Sequence, residues 1–400
     1  MFFHSQRIRR GDPGWRLHRV PTVFAVCLSQ CLRARGEDQA LYRYENYQED
    51  AGRIAVETHS FLFALQPKSW LAVQGEVVYD AISGFSPTGA PPPSTITFVQ
   101  SPPPPGASNN SVPISEMHDV RVSGTGSATF TIGNHRYTPS FSYGQEHDYR
   151  TRGAALNYSA DYNDKNTTLN LGWSHDWDEV LPNGFLHNTR MNKEADDWMA
   201  GVNQLLGPKT VLTVNLTYGH SRGYLNDQYK GVLFDNEPQG DASSPALEPE
   251  NRPRKRDRYV GYFSLTQDVT PLDASIEGSY RYSYDSYHIS AHALQLAWYQ
   301  KIGKHLIVSP SFRYYVQNAA YFYATRFPDF NNAPAYYSAD YRLSELESFA
   351  AGLTMNWKVN SWLGFDASYK RYVMKGLDGE TSSTAYPSAN IFSIGARLWF

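Results

Sequence analysis

The chain has 400 residues, of which 14% are aromatic and only 19% are charged, and its formal net charge is -3. No stretch approaches the ~20 consecutive apolar residues of a membrane helix, so a helical membrane protein is excluded. The mildly acidic balance also excludes the basic footprint of a nucleic-acid-binding protein, so we expect no nucleic-acid partner. A closed β-barrel in a bilayer stays compatible with this composition, because only alternate residues of each strand face lipid.

Residues 1–39 form a leader that differs from the rest of the chain. The leader holds seven arginines, a short apolar run and both cysteines, Cys27 and Cys31. We interpret it as an atypical export signal peptide that precedes one domain over residues 40–400. A mis-assigned start codon followed by unstructured chain is the alternative interpretation. Because residues 40–400 are free of cysteine, they have no disulfide framework and no thiolate metal site.

Period-two patterns recur through residues 40–400 and predict strands with two different faces. In the run 210–218, Leu212 and Leu216 share an apolar face, while Thr213 and Asn215 share a polar one. The polar face carries short side chains, and the apolar face carries Trp and Tyr near the strand ends. Aromatic residues at strand ends are typical of the girdles of membrane barrels.

Short turns alternate with long connections between the predicted strands. The short turns lie at 66–70, 133–135, 162–166, 207–209, 269–272, 302–304 and 359–362, and the long connections lie at 83–115, 179–195, 223–257, 320–346 and 375–388. With an opening strand near 40–48 and a closing strand, these hairpins give about 16 strands. The pattern predicts an all-β fold: a transmembrane up-and-down antiparallel β-barrel over residues 40–400, with short periplasmic turns and long extracellular loops.

The sequence ends on "ANIFSIGARLWF", residues 389–400, in which alternate positions are apolar. Four positions fit the spacing polar-x-Gly-x-x-apolar-x-aromatic: Ser393, Gly395, Leu398 and Phe400. This spacing resembles the C-terminal signal that the outer-membrane barrel assembly machinery recognises. We therefore predict that this machinery is a partner during biogenesis and that the protein resides in the cell outer membrane of a Gram-negative bacterium.

Several strings resemble one bacterial family. They are "RYENYQED" (43–50), "EVVYDAISGFSPTGAPPP" (76–93), "ALNYSADYNDKNTTLNLGWSHD" (155–176), "VNQLLGPKTVLTVNLTYGHSRGYLNDQYKGV" (202–232) and "SADYRLSELESFAAGLTMNWKV" (338–359). Together they resemble the domain of unknown function 3570 family, over about residues 41–400. The resemblance implies an uncharacterised outer-membrane protein and carries over no catalytic or ligand-binding residue.

Candidate chemistry is weak. In "GHS" at 219–221, His220 and Ser221 point to opposite faces of a strand, so they do not form a nucleophile and base pair. We predict that the protein is not an enzyme and needs no cofactor or metal. The basic run "NRPRKRDR" (251–258) reads as a solvated loop, and contact with anionic lipopolysaccharide is the alternative. Outer-membrane lipids and lipopolysaccharide are therefore expected partners, and the sequence indicates no oligomeric state.

The predicted inner face carries charges of both signs. These predicted lumen charges are Glu76, Asp80, Asp161, Asp268, Glu277, Arg281, Arg313, Asp366 and Arg397. They either set up a field across a pore or pair with one another along the wall, and both interpretations stay open. The first functional hypothesis is a passive pore for small solutes. The alternatives are a structural or surface-binding barrel that acts through its extracellular loops and, third, an outer-membrane hydrolase.

Overall fold

A computed structural model describes residues 38–87, 114–182, 189–235 and 246–400. Apart from its last two residues, the predicted leader 1–39 lies outside the described residues, so its role stays a prediction. Sixteen strands form one closed barrel, and two further strands, β10 and β11, form a separate hairpin. The strands are β1 Gln39–Glu49, β2 Ala55–Lys68, β3 Leu71–Pro87, β4 Ile114–Ile132, β5 His135–Gln145, β6 Tyr149–Tyr162, β7 Thr167–Val180, β8 Met191–Gly207, β9 Thr210–Gly223, β10 Gly231–Phe234, β11 Ala246–Pro249, β12 Lys255–Val269, β13 Ala274–Asp285, β14 Ser290–Ile302, β15 Leu306–Gln317, β16 Leu346–Lys358, β17 Leu363–Gly376 and β18 Ser388–Trp399.

Each barrel strand pairs antiparallel with its neighbours along the chain, and β9 pairs with β12 because the β10–β11 hairpin lies within their connection. The barrel closes where β1 pairs with β18, with Gln39 opposite Trp399. Such closure leaves no sheet edge unpaired, which is a requirement for strands that cross a bilayer. The predicted antiparallel barrel of about 16 strands is confirmed.

The seven predicted short turns are confirmed, and all of them lie at one end of the barrel, the turn end. The five predicted long connections lie at the opposite end, the loop end. Three further connections at the loop end are short, at 50–54, 146–148 and 286–289, and the sequence patterns did not resolve them. Short 3-10 helices occur at Asp50–Gly52, Thr270–Leu272, Tyr341–Leu343 and Ser383–Ala385. None of the helices in the described residues is long and apolar enough to span a membrane.

The two faces of each strand differ as the sequence alternation predicts. On β12, Phe263 and Leu265 are exposed on the outer face, whereas Ser264 between them is buried on the inner face. On β3, Tyr79 is exposed and the adjacent Asp80 is buried. A barrel with an apolar exterior and a polar interior is suited to a membrane, where its outer face contacts lipid.

A row of aromatic side chains crosses five neighbouring strands on the outer face, from the middle of β7 to the loop end of β13. Cross-strand pairing places Trp173, Trp198, Tyr218, Tyr259 and Tyr284 side by side. The rings of Trp198 and Tyr218 stack with their centroids 5.6 Å apart. Aromatic rings of this kind are enriched on the lipid-facing side of membrane barrels, especially toward the interfaces.

Candidate functional site

The two longest described connections at the loop end fold together into a cap, which we define as residues 224–235, 246–254 and 318–345. Its apolar centre is a cluster of buried side chains: Val232, Phe234, Phe327 and Ala339. The ring of Phe234 meets Phe330 and Tyr337 edge-on, with centroids 5.1 and 5.2 Å away. A backbone bridge between Phe234 and Phe327 ties the two connections together. The cap is therefore a packed structure with its own small core.

A network of charged side chains joins the same two connections. Asp340 accepts hydrogen bonds from Arg252 at 2.7 Å and from Arg342 Nε at 2.9 Å. Arg252 also pairs with Glu250 at 2.7 Å, and Arg342 reaches Asp227. Asp340 and Glu250 are both almost completely buried. Buried charges of this kind are tolerated because each one faces an opposite charge.

The network shifts the pKa values of its members in different directions. Burial acts to raise the pKa of Asp340, but Arg342 and Arg252 together hold it well below the usual range. Burial raises the pKa of Glu250, and Arg252 offsets only part of that rise. Burial also lowers the pKa of Lys230, whose ammonium lies 5.1 Å from the centre of the Tyr341 ring. Asp340 is therefore the firmly ionised centre of the network at neutral pH.

Residues 227–230 connect opposite sides of the barrel mouth. On one side, Asp148 in the β5–β6 connection accepts hydrogen bonds from Gln228 at 2.7 Å and from the Tyr229 hydroxyl. On the other side, Asp227 pairs with Arg342 of the β15–β16 connection. These two connections are eight strands apart in the ring of sixteen, so they lie diametrically opposite each other. The chain consequently crosses the mouth.

Further contacts seat the cap on the other connections of the loop end. The hydroxyls of Ser344 and Tyr386 lie 2.6 Å apart, and the ring of Tyr386 meets Tyr341 edge-on at 5.7 Å. Tyr287, in the β13–β14 connection, packs edge-on against Phe322 at 4.9 Å. The cap is thus held from several points of the rim.

Two adjoining cavities lie between the cap and the inner wall, with volumes of about 450 and 490 Å³. We call them together the vestibule. Both are lined by Leu225, Asn226, Asp227, Arg252, Arg256 and Arg258. The first also reaches Asp285, Asp340 and Arg342, and the second reaches Tyr149, Lys193, Ser221, Tyr224 and Tyr287. The vestibule is therefore a polar, strongly charged chamber below the cap.

The basic run 251–258 supplies much of this chamber, so its interpretation as a solvated loop is wrong. Residues 255–258 belong to β12, where Arg256 and Arg258 occupy inner-face positions and pair with Asp285 and Asp197. Arg252 is buried in the cap. The alternation of Arg with other residues along 252–258 was the available signal, because a strand directs alternate side chains to the same face.

All nine predicted lumen charges occupy inner-face positions. Three of the aspartates form salt bridges along the wall: Asp366 with Arg43 at 3.1 Å, Asp80 with Arg121 at 2.7 Å and Asp161 with Arg136 at 2.6 Å. Glu277 accepts from the Tyr299 hydroxyl at 3.2 Å, and Asp268 from Thr270 at 2.5 Å. Arg281 and Arg397 lie 5.5 and 5.7 Å from the ring centres of Tyr262 and Trp399. Glu76 and Arg313 lie on β3 and β15. The charges that have partners agree with the interpretation that lumen charges pair along the wall.

The residues of the predicted assembly signal all lie on or next to β18. Ser393 is buried with its hydroxyl 2.8 Å from that of Ser368, and Gly395 leaves room for the Asp366 carboxylate. Leu398 pairs with Ala40 and Leu363. The amide of Phe400 donates to the carbonyl of Asp38 at 3.0 Å. The signal positions thus coincide with the closing seam of the barrel, and their role as a signal stays a prediction.

Two other clusters have the residue types of a reactive site. His220 hydrogen-bonds to Asp257 at 2.8 Å on the outer face, whereas Ser221 lines the vestibule on the inner face. Asp119, Glu146 and Asp148 have carboxylate oxygens within 4.8 Å of one another at the rim. Arg121 pairs with Glu146 at 3.8 Å, and burial raises the pKa of Glu146. We therefore interpret the Asp119, Glu146 and Asp148 cluster as a contact between charged side chains at the rim.

A sequence profile of the family described as "Protein of unknown function (DUF3570)" matches residues 25–386. Among curated proteins, none matches the sequence.

Solved structures with a similar fold are outer-membrane barrels. CdiB from Acinetobacter baumannii aligns with a TM-score of 0.52 at 9% identity, covering 91% of this chain and 60% of CdiB. The siderophore receptor PirA from Pseudomonas aeruginosa aligns at 0.43 and 9% identity, covering 92% and 62%. A loop L8 deletion mutant of OmpT, an outer membrane protein of Vibrio cholerae, aligns at 0.41 and 12% identity, covering 92% and 99%. The chain spans about three fifths of the length of the first two proteins. At these identities the likeness concerns the fold alone.

Proposed function

Since the chain belongs to the DUF3570 family and folds as a barrel of the outer-membrane type, we propose that it acts in the outer membrane of a Gram-negative bacterium as a passive pore for small polar solutes, with its extracellular entrance narrowed by the cap. The observation that carries the proposal is the vestibule, a polar and strongly charged chamber between the cap and the inner wall. Barrels of this strand number enclose an aqueous channel unless loops obstruct it.

The inner wall supports the same proposal. Below the level of the vestibule, a cavity of about 330 Å³ is lined by short polar side chains that include Asn157, Ser159, Asn170, Asn203 and Asn215. Amide and hydroxyl groups exchange hydrogen bonds with water and with polar solutes at little cost. In this proposal the cap forms the narrow part of the path, and the polar inner wall forms the rest of it.

The test compares the full chain with a variant in which residues 324–337, which include Phe327 of the cap's apolar cluster, are replaced by a four-residue Gly-Ser linker. The ends of the excised segment are adjacent, because Tyr323 bridges Ser338. In planar bilayers, we expect a small single-channel conductance from the full chain and one several-fold larger from the variant. Heat-modifiable migration in detergent gels serves as the control that both barrels are folded. If both folded proteins stay silent, the pore proposal is wrong.

A second candidate is a surface-binding barrel in which the cap is the working part. The observation that favours it is the cap's apolar cluster together with its buried ion pairs, which make the cap a packed structure at the loop end. Silent bilayers with both proteins, combined with a protease-resistant cap in the full chain, would favour this function. We propose no hydrolase, because the His220 and Ser221 side chains lie on opposite sides of the wall.

A further inference from the structure

In the vestibule, several cationic side chains are more exposed than the carboxylates with which they pair. Its lining includes the cations Lys193, Arg252, Arg256, Arg258 and Arg342 and the carboxylates Asp227, Asp285 and Asp340. In the pair of Arg256 with Asp285, the side chains are 33% and 5% exposed. In the pair of Arg342 with Asp340, they are 47% and 1% exposed. Asp285 and Asp340 are therefore buried behind more exposed guanidinium groups, whereas Asp227 is 21% exposed and Arg252 only 10% exposed.

Arg258 is the most accessible of these cations. It extends from the inner face of β12 and its side chain is 52% exposed. Among the described residues it contacts one carboxylate, that of Asp197, through Nη2 at 3.3 Å. A guanidinium carries five N–H donors in a planar fork, so most of its donors stay available to a solute.

We infer that the vestibule binds small oxyanions, namely solutes that carry a carboxylate or phosphate group, and that Arg258 with Arg342 and Arg256 selects them. Planar guanidinium forks match the oxygen pairs of both groups. Hydroxyl and amide groups of Tyr149, Tyr224 and Asn226 line the same chamber and suit solutes that also carry hydroxyls. Each cavity has the volume of a small-molecule site, about 300–1,000 Å³. The inference rests on the proposed pore for its physiological meaning, but binding itself does not require conductance.

The binding experiment uses the full chain refolded in detergent and titrated calorimetrically with inorganic phosphate and, separately, with citrate. We expect both anions to bind, and the tighter one identifies the preferred oxyanion. Arg258→Gln should weaken binding roughly tenfold, because it removes a charge-assisted contact. Arg258→Lys should retain part of the affinity, since it keeps the charge and loses the fork.

Arg222→Gln is the matched control. Arg222 is also half-exposed and also pairs with one carboxylate, that of Glu194, but it lies on the outer face of the neighbouring strand. Its removal should leave binding unchanged. Equal loss in both variants, or no binding of either anion to the wild type, would overturn the inference.

Ion selectivity in bilayers separates this inference from the pore proposal. Under a tenfold KCl gradient, the sign of the wild-type reversal potential should indicate selectivity for chloride over potassium. Arg258→Glu should shift the reversal potential toward potassium selectivity. Anion binding in a silent barrel would support the vestibule inference and overturn the pore. Conductance without anion binding or anion preference would support the pore and overturn the inference.

Discussion

Asp340 shows how much of the cap depends on one carboxylate. It accepts from Arg252, from the Arg342 guanidinium and from the Arg342 backbone amide at 3.0 Å. It therefore fixes the start of a short 3-10 helix and joins both connections of the cap. A buried ion pair adds little compared with an apolar isostere, but removing one partner leaves an uncompensated buried charge.

We expect Asp340→Asn to loosen the cap by up to about 3 kcal/mol, because Arg252 and Arg342 lose their shared counter-ion and keep only Glu250 and Asp227 as partners. Native-state proteolysis of the folded barrel, with cleavage within 224–254 or 318–345, measures this opening. Asp235→Asn is the control, since Asp235 pairs with Arg326 on the exposed surface and should change the opening by under about 1 kcal/mol. Similar cleavage rates for both variants would contradict a central role for Asp340.

The pKa of Asp340 also predicts a pH dependence. Its value in the folded cap lies below 3.8, its ordinary value, so its contribution to stability is complete above that pH. The contribution is lost as pH falls from about 4 toward the lower folded value, because the opened cap then takes up the proton more readily. The difference in opening between wild type and Asp340→Asn should therefore shrink below pH 4, measured by pepsin cleavage. A difference that grows in acid would refute this assignment.

At the scale of single elements, strand alternation makes a sharp prediction on β9. Asn215 lines the inner cavity, whereas Leu216 is strongly exposed on the outer face. Cysteines at Thr213, Asn215 and Thr217 should react with a water-soluble thiol reagent, and cysteines at Leu212 and Leu216 should resist it in membranes. The background is a chain with Cys27 and Cys31 replaced by serine. A one-residue error in register would exchange the two sets, so the labelling pattern decides between them.

The sequence predicted long strands and turns well, but it did not resolve the three short connections at the loop end. The connection 286–289 shows why. Asp285 accepts from the amides of Tyr287 and Ile289 at 2.9 and 3.0 Å, and His288 adopts a positive φ of 64°. Asp285 and Ser286 are turn-forming residue types, but the connection has no Gly or Pro, the residues that mark a turn most strongly.

At the scale of the whole molecule, the fold could be predicted because alternation and turn spacing are local signals. The cap could not, since its partners are far apart in sequence: Asp340 lies 88 residues from Arg252 and Tyr229 lies 81 residues from Asp148. No periodicity within 224–254 reports which distant carboxylate an arginine will meet. The ion pairs of the basic run 251–258 could not be predicted for that reason, although the alternation of its arginines was a local sign of a strand.

Closure of the barrel gives the whole-molecule prediction. The amide of Phe400 donates to Asp38, and β18 pairs with β1 along its full length. Phe400→Asp places a charge at this seam, so we expect less of the heat-modifiable, folded form in the outer membrane while secretion continues. Glu380→Ala, in an exposed position of the β17–β18 connection, is the control. Normal folded levels of the Phe400 variant would refute the predicted assembly signal.

The bridge across the mouth has a consequence for the order of events during folding. Arg53 donates to the carbonyl of Thr384, 331 residues away, and residues 227–230 need both Asp148 and Arg342 in place. Such contacts form only after the chain between them has been ordered, because closing long loops costs entropy before the contact is gained. In a time course of membrane insertion, protease resistance should therefore appear first in the strands and last in the cap.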